Sequence, residues 1–318
     1  MTNSIRSVKR KLDEAITQLC EVSWMFSKHP DRDFTRTRKL PFRKVISFLL
    51  SMEGGSLTTE MMSHFGYSTD TASSSAFVQQ RSKINSAALP SLFDLFVKKT
   101  DSNNLYKGLR LLAADGSDIQ IPTNSNDPDS YFPGINGQAS YNLLHLDAMY
   151  DLLRHTYTDA LLVGQRKVNE RNSLCTMIDR SSMENVLLIA DRGYEGFNLM
   201  AHLQEKGWHF LIRIQDILHS RGIAAGLRLP NMDEFDAPIT LFLTTKSTNK
   251  VKQLCEDRNK YRYIPSTVTF DYLPKTNRIH DPAAFMNYGF GSSDSKLPMI
   301  FTKLLSPIWI HGPFLRKN

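Results

Sequence analysis

Cysteine is nearly missing from this chain. Cys20, Cys175 and Cys255 are the full set, widely scattered and without paired spacing. That spacing excludes a disulfide framework and a clustered zinc site, and it fits a reducing cytosol. Long apolar runs are missing too, since none reaches the roughly 18 residues of a membrane span. The N-terminus MTNSIRSVKRKLDEA is basic but lacks the apolar stretch of a secretory signal, so the expected location is cytoplasmic, with no membrane partner. No internal repeat is present, which sets solenoids and propellers aside. What remains, 318 residues at 41% hydrophobic and 22% charged, reads as an ordinary globular chain of two domains with room for an insertion.

Acidic residues are under-represented in one region. Residues 1–108 hold 16 Lys and Arg against 10 Asp and Glu, a net of +6, while the whole chain carries +7. Arg36, Arg38, Lys39, Arg43 and Lys44 form a basic run with no acidic residue among them. Such a run can neutralise phosphates and make binding salt-dependent. A solvated helix face is the plain alternative.

Residues 1–105 read as helical. KVISFLLSM, SLTTEMMSHFG, SSAFVQQRSKI and SLFDLFVKK are short apolar-patterned segments separated by polar or glycine turns. They are compatible with a helix-turn-helix DNA reader and equally with a plain bundle. From Leu109 the texture changes. LRLLAADGS reads as a strand ending in an acidic turn, followed by an Asn/Asp/Pro/Gly-rich loop. YNLLHLDAMYDLL and HTYTDALLVG read as paired strands, NERNSLCTMIDRSS as a helix, and NVLLIADRG as a buried strand. FNLMAHLQEKG is then a helix and WHFLIRI a strand. The order β-β-β-α-β-α-β implies an α/β fold, a mixed sheet flanked by helices, in the ribonuclease-H-like order. It occupies 106–216. Residues 217–290 read as the start of a β-rich insertion, with ITLFLTTK and STVTFDYL as strands.

Asp115 and Asp191 end the first and fourth core strands, 76 residues apart (191 − 115). In that sheet order the two strands are neighbours and the carboxylates face each other. Paired carboxylates suit hard divalent cations, which can activate a water or 3′-hydroxyl and stabilise a leaving phosphodiester oxygen. The bland reading of Asp191 is a helix N-cap. Asp118 reads as a turn hydrogen-bonder, His145 and Asp147 as structural or surface residues, and Trp208 as core.

LLAADGSDIQIP, YNLLHLDAMYDLL and above all IADRGYEGFNLMAHLQEKGWHFLIRIQD resemble bacterial insertion-sequence transposases of the DDE class, in the insertion-sequence-four group. The resemblance extends to about Phe290. It implies that Asp115 and Asp191 are the first two acids of a catalytic triad using two Mg²⁺ or Mn²⁺ ions. It also implies a helical N-terminal domain for double-stranded DNA at transposon ends, joining of a freed 3′-hydroxyl to target DNA, and action as a homodimer. Arg192 and Tyr194 match the family motif and stand as DNA-contacting candidates, with a role in shaping the turn as the alternative.

The family's third acid sits in a Y-x2-R-x3-E-x6-K pattern, which this sequence lacks, and the surroundings of Glu256 do not match it. Residues 291–318 lack the periodicity of their neighbours. Read one base earlier, with a permitted choice of wobble bases, they yield two alternating strands and a helix start. The expectation is a frameshifted, prematurely ended transposase with a poorly packed tail, inactive alone. The alternative is a non-catalytic DNA-binding remnant or inhibitor of the complete enzyme.

Overall fold

The computed structural model describes residues 2–36, 38–214, 222–232, 234–245, 247–265, 267–272, 296–304 and 308–311. The chain divides into two compact units, Met1–Asn103 and Asn104–Asn318.

The first unit is helical: α1 (Thr2–Glu21), α2 (Phe42–Ser51), α3 (Leu57–His64), α4 (Ser74–Arg81) and α5 (Ala88–Thr100). Serines start two of these helices. Ser56 Oγ accepts from Thr59 N at 3.3 Å and Ser73 Oγ from Ala76 N at 3.2 Å, each satisfying an orphan donor of a first turn. Helix α2 is the unit's centre because its apolar residues lie on two faces. Phe42 and Ile46 pack with Ala15, Ile16 and Leu19 of α1 and Leu92 of α5. Val45 and Phe48 face Met61 and Phe77 instead. A 3.6-residue period separates those pairs around the helix.

The second unit begins with β1 (Arg110–Ile121), the short β2 (Tyr131–Phe132), β3 (Tyr141–Asp151) and β4 (Thr156–Gly164). Then come α6 (Glu170–Arg180), β5 (Val186–Ala190), α7 (Phe197–Glu205) and β6 (His209–Arg213). It continues with β7 (Glu234–Thr244), α8 (Asn249–Leu254), β8 (Tyr261–Tyr263), β9 (Lys296–Leu304) and β10 (Ile308–His311). The strand order is β2-β3-β1-β5-β6-β10-β9-β7-β8, with β4 also on β3. Strands β1, β3 and β4 pair antiparallel, whereas β5 joins β1 and β6 joins β5 in parallel. This is the expected ribonuclease-H-like mixed sheet. Leu174, Met177 and Ile178 of α6 and Leu199, Met200 and Leu203 of α7 bury against Leu112, Val186, Leu188, Phe210 and Ile212 of the strands.

Three expectations differ from the structure. Strand β1 runs to Ile121 and does not end in a turn at Asp115–Gly116, because β3 pairs with it from Leu112 through Ile121. Within STVTFDYL the described residues, 267–272, are turns and irregular backbone, and the strand beside β7 is Tyr261–Tyr263. Finally, the segment expected to pack poorly supplies β9 and β10, which join β7 to β6 and bury Ile310. Backbone pairing asks only for strand-forming residues, and KLPMIFTKL and IWIH are rich in them. The rest of 291–318, together with 273–290, lies outside the described residues.

Candidate functional site

The parallel pairing of β1 with β5 runs from Arg110↔Val186 to Ala114↔Ala190, and Asp115 and Asp191 are the next residues on the two strands. Beyond this point β1 pairs only with β3 among the described residues, and both aspartates are exposed. Asp115 Oδ1 accepts from Gly116 N at 2.9 Å. Asp191 Oδ1 accepts from Gly193 N at 2.8 Å, which makes it the N-cap of the 3-10 turn Arg192–Tyr194. The strand-end and capping readings of Asp191 thus coexist, one oxygen holding the turn. Neither carboxylate meets a Lys or Arg among the described residues.

A third carboxylate sits beside them that the sequence did not single out. Glu170 opens α6 after the N-cap Asn169, whose Oδ1 accepts from Asn172 N at 3.2 Å. Arg171 Nε donates to Gly193 O at 3.0 Å, fastening the start of α6 to the turn after Asp191. A Cβ on Gly193 would stand 3.1 Å from Asp191 Oδ1 and 3.2 Å from Glu170 Oε2, so a larger residue needs one of these carboxylates to shift by a few tenths of an ångström. In the sequence, Glu170 looks like an acid favoured by a helix N-terminus; its nearness to Asp191 comes from chain reversal.

Behind these acids lies a buried polar cluster. His145 Nδ1 is 2.7 Å from Asp118 Oδ1, and its Nε2 is 3.3 Å from Asp147 and 3.5 Å from Glu170. Asp118 therefore bonds across the sheet and not within a turn. Asp147 is fully buried, and neither of its oxygens has a hydrogen-bond partner among the described residues. Burial opposes the imidazolium of His145, but the Asp118 hydrogen bond and the charges of Asp147, Asp118 and Glu170 outweigh it and raise the pKa. Gly116 allows this arrangement, since a Cβ there would be 2.5 Å from His145 Nε2. Trp208 is core, with its indole N–H on Met183 O at 3.0 Å.

Tyr194 requires a correction. It is 2% exposed and cannot reach DNA from the core. Burial, together with the charges of Asp147, Glu170, Asp115 and Asp191, pushes its hydroxyl pKa up. In the structure it packs in the core, on the turn that follows Asp191, in keeping with the turn-shaping alternative. Arg192 is exposed on the same turn.

The oxygen-only donors Asp115 and Asp191, without a cationic partner among the described residues, fit a hard divalent ion in kind. In number they fall short: among the described residues no group of three or more His, Cys, Asp or Glu is arranged to hold a metal ion.

In the helical unit the basic run separates. Lys39 Nζ meets Asp70 at 2.5 Å, and this bond lowers the Asp70 pKa. Arg43 reaches Thr17 at 2.8 Å and Asp13 at 3.6 Å, and Lys44 Nζ lies 5.8 Å over the Phe65 ring. Arg36 and Arg38 line a cavity together with Arg32 and Lys83, which sequence reading had passed over.

A family profile described as "Transposase DDE domain" matches residues 106–271, just over half of the chain. No curated protein matches. Among solved structures, the piggyBac transposase synaptic complex with hairpin DNA is similar at a TM-score of 0.36 and 9% identity. That alignment covers 58% of this chain and 44% of the piggyBac chain, so this chain spans less than half of that protein's length. With the family profile spanning β1 to the turn at Asp271, and both strand-end aspartates inside it, this chain belongs to the DDE-domain transposases.

Proposed function

We propose that the chain is a transposase of the insertion-sequence-four group that works in the bacterial cytoplasm. It grips double-stranded DNA at transposon ends through its helical unit, as a homodimer, and cuts and joins strands at Asp115 and Asp191. The adjacency of these two carboxylates, where the β1–β5 pairing stops, is the observation that carries the reading. Asp115 and Asp191 would hold Mg²⁺ or Mn²⁺, and such ions acidify a water or 3′-hydroxyl and stabilise the leaving oxygen of a phosphodiester. The protein's own part is rigidity. Gly193 N fixes one oxygen of Asp191, and Arg171 holds the turn against α6.

Incubation with labelled duplexes carrying the element's own ends, with and without Mg²⁺, tests this. Cleavage that disappears in Asp191→Ala while gel-shift binding persists is the expected result; cleavage surviving that substitution overturns the assignment.

Two observations favour a second reading, a non-catalytic DNA-binding regulator of a complete transposase. Although Glu170 lies near Asp191, no group of three or more His, Cys, Asp or Glu is arranged to hold a metal ion among the described residues, and the Y-x2-R-x3-E-x6-K pattern is absent from the sequence. Binding to the ends without cleavage by either protein identifies that case. A reading-frame change after Phe290 belongs to it and is tested on the gene: without a Tyr-Arg-Glu-Lys segment downstream in another frame, the idea fails.

A further inference from the structure

The helical unit holds a cavity of about 380 Å³ lined by Arg32, Arg36, Arg38 and Lys83 and by the acid Asp31, with Lys83 Nζ also 3.9 Å from the buried Asp33. Local structure fixes its shape. The N–H groups of Arg32 and Asp33 both donate to His29 O, at 3.0 and 2.8 Å, and Asp33 Oδ2 takes the N–H of His29 at 3.0 Å. Phe34 then adopts φ +58°, a costly conformation for a bulky residue. Packing holds it there: its ring meets Phe42 edge-on at 5.3 Å and touches both hydrophobic clusters of the unit. Arg36 and Arg38, which follow it, line the same cavity as Gln80 of α4. From that wall the largely buried Gln80 and the Lys83 ammonium close the cavity, 3.4 Å apart.

The guanidinium groups of Arg32, Arg36 and Arg38 have no acidic or hydrogen-bonding partner among the described residues, unlike Lys39 and Arg43 of the same unit. Like charges gathered in one concavity repel, and a tetrahedral oxyanion relieves that repulsion while matching the guanidinium fork. Phe34 and Leu40 give the cavity an apolar side against which a sugar can rest. We propose that this cavity is a phosphodiester clamp, in which Arg32, Arg36 and Arg38 grip a backbone phosphate of duplex DNA, while Lys83, held by Asp33 and Gln80, forms part of the wall. Such contacts set register without reading bases. The proposal deepens the assignment of DNA binding to the helical unit and rests on it.

The test uses the full chain and a duplex of arbitrary sequence, with affinity followed by fluorescence anisotropy across a salt series. Arg32→Gln with Arg36→Gln weakens binding at every salt concentration and lowers the slope of log affinity against log salt by about 2. Arg32→Lys with Arg36→Lys restores the slope. Independently of any variant, bound duplex protects Arg32, Arg36 and Arg38 of the unaltered protein from arginine-specific modification, read by mass spectrometry. Unchanged slope in the folded Gln variant, or no protection, overturns the clamp while leaving DNA binding standing. Absence of any duplex binding overturns the underlying reading as well. Inorganic phosphate forms the other arm: if it protects the same arginines and duplex does not, the cavity takes a free anion and the proposal is wrong.

Discussion

Asp191 caps its turn by accepting from Gly193 N at 2.8 Å, and under the proposed function the same side chain also holds a divalent cation. Gly193 is the residue on which both depend, because anything larger must displace Asp191 or Glu170. Gly193→Ala is therefore expected to lower Mn²⁺ affinity about 10- to 100-fold, as loss of supporting contacts around a metal ligand does. Titration calorimetry checks this, and unchanged affinity would show that the turn does not position the carboxylate. The glycine was visible in DRGY; the reason for it was not, since Glu170 approaches from a helix that begins 23 residues earlier (193 − 170).

Among the elements, α6 and α7 are joined by a histidine with two acidic neighbours. His202 of α7 lies with Nδ1 2.8 Å from Asp179 of α6 and Nε2 2.9 Å from Asp271, which also bonds Asn198 at 2.9 Å. Burial disfavours the cation, yet the two carboxylate hydrogen bonds outweigh it and raise the His202 pKa above 6.5. A raised folded value means that this stabilisation is complete below about pH 6.5 and is lost as pH rises through the folded pKa. Hydrogen exchange around residues 267–272 should accordingly quicken with pH over that window, beyond its intrinsic dependence. In His202→Gln the extra dependence should vanish; if it persists, another group is responsible. Helices α6 and α7 themselves were legible from apolar spacing and, for α7, from the closing Gly207. The clip was not, because Asp179 and Asp271 are 92 residues apart (271 − 179).

At the scale of the whole molecule, two units with separate hydrophobic cores should not unfold as one cooperative step. Calorimetry is expected to give a van't Hoff enthalpy below the calorimetric one, and equality would mean that the units melt together. The sequence by itself determined the order of the main core elements from β1 to β6 (the short β2 aside), the helical character of the first hundred residues, and the two aspartates at strand positions. Those features are written in short-range periodicity and in a motif, and no distant contact is needed to read them. Only tertiary structure decided that Tyr194 is core, that β1 runs on past Asp115, and that the cations of one basic run divide between ion pairs and an open cavity. The physical reason is that burial and charge pairing depend on which segments meet. Asp115 and Asp191 lie 76 residues apart in sequence (191 − 115), and it is the parallel pairing of Ala114 with Ala190 that brings them side by side.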